Sequence, residues 1–287
     1  MTLTVFANIK IDDSARLKRF KKSFFSFNRA NIGTWVLNIR GELNQEAYEF
    51  LRKNLKSKNV FYYNLSSISG WFVDAREMYK KIKDDYIFIW NEDWVLSKKI
   101  SKFNQIIKDI SQNNIDIFHY SQYHCDITKP YKILKSPETE NLYYLNFDKN
   151  LRKKYYEVIK KNNISYAHRY IVSSASIIKK SLFKKIIFTN DPPIKRWSKH
   201  TPFDFEKGPY DYHFLPMIIS VPKKKIFQDI DFDRQESIVY FDGKAYRIKK
   251  KYLLVYYIKK PIKFFLINAR EIINYIISNY FLKIFSK

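Results

Sequence analysis

Cysteine occurs once in the 287 residues, at Cys125, which excludes an intramolecular disulfide and suits a reducing compartment. Glycine occurs five times, and no Gly-rich phosphate loop of the G-x-x-x-x-G-K type is among them. No stretch reaches the roughly 18 uninterrupted apolar residues of a membrane-spanning helix. The longest late run, residues 252–258, has Lys249, Lys250 and Lys251 before it and Lys259 and Lys260 after it. Residues 1–9 are too short for a signal peptide and lead straight into a charged stretch over 10–22. The expectation is a cytoplasmic protein whose contact with a membrane is peripheral. Acidic residues are also scarce: 28 Asp and Glu stand against 53 Lys and Arg, a net charge of +25. Such a surface attracts phosphate on nucleic acid, nucleotides or anionic lipid, although A/T-rich codon usage is an alternative source of so much Lys, Asn, Ile, Tyr and Phe.

Apolar side chains are abundant. Hydrophobic residues make up 46% of the chain and aromatics 18%, with 24 Phe and 23 Tyr, which excludes a solvated, disordered chain. The length suits one large domain or two small ones.

Short apolar runs alternate with segments of helical period. The pattern predicts strands over 3–9, 34–39, 60–64, 86–90 and 115–120. It predicts helices over 14–27, capped by Asp12 or Asp13, and over 44–55, 73–82 and 100–110. This alternation implies βαβ units around a mainly parallel sheet covered on both faces, with Tyr86 to Trp90 as a central strand. Beyond residue 125 the pattern loosens. Residues 129–150 contain proline and read as loop, 151–162 as helix, 170–178 as strand and 180–186 as a short helix. The Pro-rich stretch 191–222 reads as mostly irregular, with late strands over 217–221 and 225–228. The tail 244–287 has a helical pattern. The expected division is a domain over 1–243, with halves 1–125 and 126–243, followed by a C-terminal appendage over 244–287.

In an open α/β sheet, ligands bind beyond the carboxyl ends of the strands. Immediately past the most apolar strand stand Asn91, Glu92, Asp93 and Trp94. Carboxylates there suit Mg²⁺ or Mn²⁺, which takes one or two protein carboxylates and fills its shell with phosphate and water. The alternative is that Glu92 and Asp93 cap the following helix near Ser97.

The run from Asn64 through Gly70, Ala75 and Arg76 to Asn91-Glu92-Asp93 resembles the nucleotide-sugar half of GT-A-fold glycosyltransferases of the family-two type. In that family a Gly-containing turn leads to Ala-Arg or Ala-Asn on a helix, and the next strand ends in an acidic D-x-D. The resemblance covers residues 2–125 and, more loosely, 170–221. It implies a GT-A-like, Rossmann-like α/β fold: a mainly parallel sheet flanked by helices, here with a C-terminal helical appendage. It also implies transfer of a sugar from a nucleotide-sugar donor to a surface-glycan or lipid-linked acceptor. By position, Asn8, Asn38 and Arg40 would line the nucleoside pocket, with Asn38 bonding the base. Arg76 would lie near the diphosphate, the alternative being a pair with Asp74 or Glu77 on a solvated face. Asn91, Glu92 and Asp93 would meet the donor, and Asp93 with Glu92 would hold Mn²⁺ or Mg²⁺. Asn91 departs from the D-x-D pattern by replacing its first acid with a neutral amide.

Transfer with inversion needs a carboxylate to deprotonate the acceptor hydroxyl. The Pro-rich segment supplies Asp204, Glu206 and Asp211, of which Asp204 is favoured. A pairing of these acids with Lys195, Arg196, Lys199 or Lys207 is the alternative, and a retaining mechanism would dispense with the base.

Other motifs are discounted. On an extended strand His119 and His124 face opposite sides, and no second Cys completes a zinc site with Cys125. Ser173, Ser174 and Ser176 lack the glycines of a nucleophile elbow. The tail 244–287 carries eleven Lys or Arg against Glu271 alone. After Pro261, Asn268, Glu271, Asn274 and Ser278 share one narrow helical face, beside Phe264, Phe265, Ile272, Ile273, Ile276, Ile277 and Phe281. That pattern fits a helix lying in an anionic membrane interface, or one packed on its own domain or in a homodimer. Two rivals stand beside the enzyme: a basic nucleic-acid-binding protein, for which no recognised module is present, and a non-catalytic GT-A-fold scaffold, which Asn91 allows.

Overall fold

The computed structural model describes residues 1–56, 58–66, 68–120, 124–164, 175–190, 213–230, 236–241 and 244–249. The chain forms two compact units, Met1–Ile230 and Asp231–Lys287, so the break falls ahead of the position 243/244 expected from sequence.

The first unit opens with the alternation read from the sequence: β1 (Leu3–Lys10), α1 (Ser14–Phe27), β2 (Ile32–Arg40), α2 (Asn44–Asn54), β3 (Asn59–Tyr63), α3 (Trp71–Tyr79) and β4 (Tyr86–Ile89). It continues through β5 (Trp94–Leu96), α4 (Ile100–Gln112), β6 (Ile117–Phe118), α5 (His124–Ile133), β7 (Leu142–Phe147) and α6 (Lys149–Lys161). It ends with β8 (Ser176–Lys179), α7 (Lys180–Ile187), β9 (Met217–Pro222) and β10 (Phe227–Asp229). Eight strands form one sheet in the order β3-β2-β1-β4-β8-β6-β9-β7. β1 pairs in parallel with β2 and β4, β2 with β3, and β6 with β9, whereas β8 runs antiparallel to β4 and β6, and β7 to β9. The fold class is the α/β, Rossmann-like one expected, a mainly parallel sheet with helices on both faces. Two reversed strands are what the sequence pattern did not reveal.

Because side chains alternate across a strand, each face of the sheet builds its own core. Val5, Ala7, Trp35, Leu37, Phe88 and Trp90 face the apolar sides of α1, α2 and α4. Phe6, Val36, Ile87 and Ile89 face α3, α5, α6 and α7. α1 buries Leu17, Phe20, Phe24 and Phe27, spaced three to four residues apart along one stripe. Its start is settled by Asp13, whose side chain accepts from the Arg16 N–H at 2.7 Å. Phe20 stacks on Trp90 with ring centroids 4.9 Å apart. The Trp90 indole N–H is satisfied inside this core by Ser23 Oγ at 2.9 Å.

Three expectations need correction. Residues 129–150 are no loop, since they hold the end of α5 and all of β7. Pro130 lies inside α5, where packing of Ile127 and Tyr131 in the second core outweighs the lost backbone bond. The strand expected over 115–120 is confined to β6, and β5 was not anticipated. In the second unit, described by itself, β11 (Glu236–Phe241) and β12 (Lys244–Lys249) form an antiparallel hairpin, so the helical reading of 244–287 fails over 244–249. The remainder of that tail, the strand expectation over 170–174 and most of the Pro-rich stretch lie outside the described residues. Among the described residues, no helix is long and apolar enough to cross a membrane.

Candidate functional site

The strand order places β1 between β2 and β4, and the chain leaves β1 toward β2 on one side and returns through β4 on the other. The carboxyl ends of these strands therefore flank a topological switch point, where α/β sheets leave a crevice. Register decides which side chains meet there. Asn8 pairs with Asn38, and Phe6 pairs with Ile89. Trp90 N–H then bonds Phe6 O at 2.9 Å, extending the pairing one residue past β4, after which Asn91 begins a turn.

Asn38 is fully buried. Its Nδ2 donates to Asn8 Oδ1 at 2.9 Å and to Leu65 O at 3.1 Å, while its Oδ1 accepts from Leu65 N–H at 2.8 Å. The residue expected to bond a base is thus committed to holding the β3–α3 connection. Asn8, 6% exposed, keeps a donor: its Nδ2 has no hydrogen-bond partner. Its carbonyl accepts from the Trp71 indole N–H at 3.2 Å, which fixes the first turn of α3 against β1. Gly70 precedes that turn with φ +106°, a backbone region open to glycine.

The connections after β1 and β2 are stitched together. Ile11 N–H bonds Arg40 O at 2.7 Å, and Leu43 N–H bonds Ile11 O at 3.0 Å. Gly41, with φ +99°, lies so close that an added Cβ would stand 2.4 Å from Ile11 O. Arg40, at the end of β2, is half-buried, and burial lowers its pKa. Asp74 and Asp12 oppose that effect, and the neighbouring Arg16 adds to it. The Arg40 Nε has no hydrogen-bond partner.

Glu92 meets Arg16. The Arg16 Nε donates to Glu92 Oε1 in an ion pair whose carboxylate side chain is only 8% exposed. This pair spans the switch point from the first turn of α1 to the end of β4. The helix-cap alternative for Glu92 and Asp93 falls, because the chain enters β5 after them and α4 begins beyond Lys99. Asp93 is half-buried, and its carbonyl is held by Ile230 N–H at 2.8 Å. Asn91 O accepts from Trp94 N–H at 3.4 Å, closing a tight turn.

A divalent cation at this turn would find the neutral Asn91 carbonyl, the Asp93 carboxylate, and a Glu92 already neutralised by Arg16. The set fits the cation poorly, since Glu92 could join only by opening a buried pair. Among the described residues, no group of three or more His, Cys, Asp or Glu is arranged to hold a metal.

Arg76 does not take up the alternative pairing with Asp74 or Glu77. Its Nε donates to Ile187 O at 2.5 Å and its guanidinium lies 5.5 Å from the Phe188 ring centroid, while Glu77 pairs with Lys80 at 2.5 Å. Arg76 lines a cavity of about 600 Å³ with Asn64, Ser66, Asp74 and Phe188. Asp204, Glu206 and Asp211 lie outside the described residues.

Arg16 is the neighbour that sequence reasoning missed, and Asp74, offered there as a partner of Arg76, acts electrostatically on Arg40. The available signal was position: Arg16 is in the first turn of the helix after β1, where βαβ geometry brings side chains to the crevice.

No protein-family model matches the sequence, and no curated protein does. Several solved structures resemble the fold. The S. aureus TarS fragment 1–349 does so at 12% identity and a TM-score of 0.47, over 79% of this chain and 60% of that one. The same fragment in complex with UDP-GlcNAc gives 12% and 0.44, over 79% and 58%. A UDP-glucose pyrophosphorylase complexed with UDP-glucose gives 10% and 0.41, over 78% and 92%. The chain thus spans about three-fifths of the length of the TarS fragment.

Proposed function

We propose that this chain is a glycosyltransferase that takes a nucleotide-sugar donor and passes the sugar, with inversion, to a surface-glycan or lipid-linked acceptor. What supports the reading is that Asn8 and Arg40 stand at the carboxyl ends of the neighbouring strands β1 and β2, that Asn91 and Asp93 follow β4 on the other side of β1, and that the glycine-led turn into α3 is held against Asn8. Strand ends at such a switch point offer a nucleotide diphosphate an amide donor, a guanidinium and a carboxylate from neighbouring strands. Asn38 supports the site indirectly, by fixing the loop that closes one side of it. In this reading Asp204 is the base that takes the acceptor proton, with Glu206 and Asp211 as its nearest rivals.

Basic residues and large apolar side chains in the tail 244–287 support adsorption to an anionic membrane, where each Lys or Arg near the surface contributes about 1 kcal/mol. That would bring the enzyme to a lipid-linked acceptor.

The donor half of the reading is tested by thermal shift with UDP, GDP, CDP and TDP, because a ligand that binds only the folded chain raises its apparent stability. Stabilisation by at least one is expected. If none acts at millimolar concentration, the reading loses its support.

A further inference from the structure

We propose that the nucleotide diphosphate binds here without a divalent cation, its charge met by the Arg40 guanidinium with the Asn8 amide as a second donor. The inference rests on the donor reading above and goes beyond it, since the D-x-D resemblance implies Mn²⁺ or Mg²⁺ at this position.

Three features argue for it. The first is the scarcity of anionic ligands. A cation bridging two phosphates draws on one or two protein carboxylates; here Asn91 is neutral and Glu92 is bound to Arg16. Recruiting Glu92 would leave the partly buried Arg16 guanidinium without its partner, which is unfavourable. Asp93 would remain as a single carboxylate, the fewest such a cation uses, beside the neutral Asn91 carbonyl.

The second is an available cation of the protein's own. Arg40 stands at the end of β2, on the same side of the strand as Asn38, and its backbone is pinned by Ile11. Arginine stays protonated despite the effect of burial, and its planar fork matches phosphate oxygens in two-point contacts. Asp74 and Asp12, the acids nearest to it electrostatically, help to keep it charged. The Nε carries an unmade hydrogen bond, which a phosphate oxygen would complete.

The third is the Asn8 Nδ2, a second buried donor with no partner. Buried polar groups are nearly always bonded, and two unmet donors on adjacent strands at the switch point are groups that an acceptor-rich ligand would satisfy on entering. A diphosphate supplies only acceptors.

Calorimetric binding of UDP, GDP, CDP and TDP to the full chain, in EDTA and again with Mn²⁺, tests this. The affinity of the best nucleotide is expected to agree within about twofold between the two conditions. Arg40→Gln should weaken it about tenfold or more, the loss of a charge-assisted hydrogen bond, and Arg40→Lys should recover part of the loss. Binding that requires Mn²⁺ would overturn the inference while leaving the donor reading intact. Binding in EDTA that Arg40→Gln leaves unchanged would overturn the role of Arg40. No nucleotide binding under either condition would remove the donor reading, and this inference with it. The EDTA comparison uses the unaltered chain, so it decides the question even if the Arg40 variants fail to fold.

Discussion

The Asn38 carboxamide grips the Leu65 backbone at two points, donating to its carbonyl at 3.1 Å and accepting from its N–H at 2.8 Å. One buried side chain thereby fixes where the loop into α3 begins. Asn38→Ala should cost roughly 1 to 3 kcal/mol per buried group left unpaired, read by urea denaturation. Nucleotide affinity should fall too, through the displaced loop. Asn38→Asp keeps an acceptor for Leu65 N–H but loses both donors, so it should rescue little.

The Arg16–Glu92 pair predicts a pattern of non-additivity. Arg16→Met or Glu92→Leu alone leaves an unpaired charge, expected to cost on the order of 2 to 4 kcal/mol given that Arg16 is partly solvated. The double variant should be more stable than the two single losses added together. A double-mutant cycle by chemical denaturation gives the coupling directly. Strictly additive losses would show that the pair contributes nothing as a pair.

Gly41→Ala should destabilise the chain by about 1 to 3 kcal/mol, because it combines a positive φ with a Cβ 2.4 Å from Ile11 O. The obstructing atom is backbone, so no side-chain rotation relieves it. The melting temperature should drop by several degrees. Since Gly41 adjoins Arg40, nucleotide affinity should weaken as well.

Alkaline pH should destabilise the protein through its buried tyrosines. Burial, with Asp116 and Asp85 adding to it, pushes the Tyr86 phenol up to about 12, and burial also raises Tyr120 and Tyr48. In the unfolded chain these phenols ionise near 10. The unfolded state therefore binds fewer protons than the native one above that pH, and stability falls as pH rises from about 10 toward 12. Tyrosinate absorbance followed with circular dichroism should show these groups ionising together with loss of structure. Tyr86→Phe should reduce the pH dependence.

How much of this was legible in the sequence depends on how local the cause is. α1 was read with its observed limits because Asp13 and the stripe of Leu17, Phe20, Phe24 and Phe27 are both in the local chain. The ends of β1, β2 and β4 were equally visible, and with them Asn8, Asn38, Arg40 and Asn91 to Asp93. β7 was missed because Pro130 and Pro137 read as breakers, while the strand owes its existence to pairing with the distant β9. β5 is three residues long and exists through β10. Partner choice at the site was hidden for the same reason. Nothing near Glu92 in the sequence names Arg16, and nothing near Asn38 names Leu65. Those pairings follow from register and from which helix covers which face.

The clamp between β5 and β10 bears on how the chain can be divided. Residues 1–125 hold the candidate donor residues described here, yet they are not a separable module. The turn of Asn91 to Asp93 is followed by a strand that pairs, among the described residues, with Phe227–Asp229, and Asp93 itself is anchored by Ile230. β4 meanwhile has β8 along its other edge. A fragment cut at the apparent midpoint would expose that edge and release the turn. The smallest autonomous version of this crevice must extend through Ile230, so insertion or fusion at the middle of the chain would have to preserve a spatial bond that the linear order conceals.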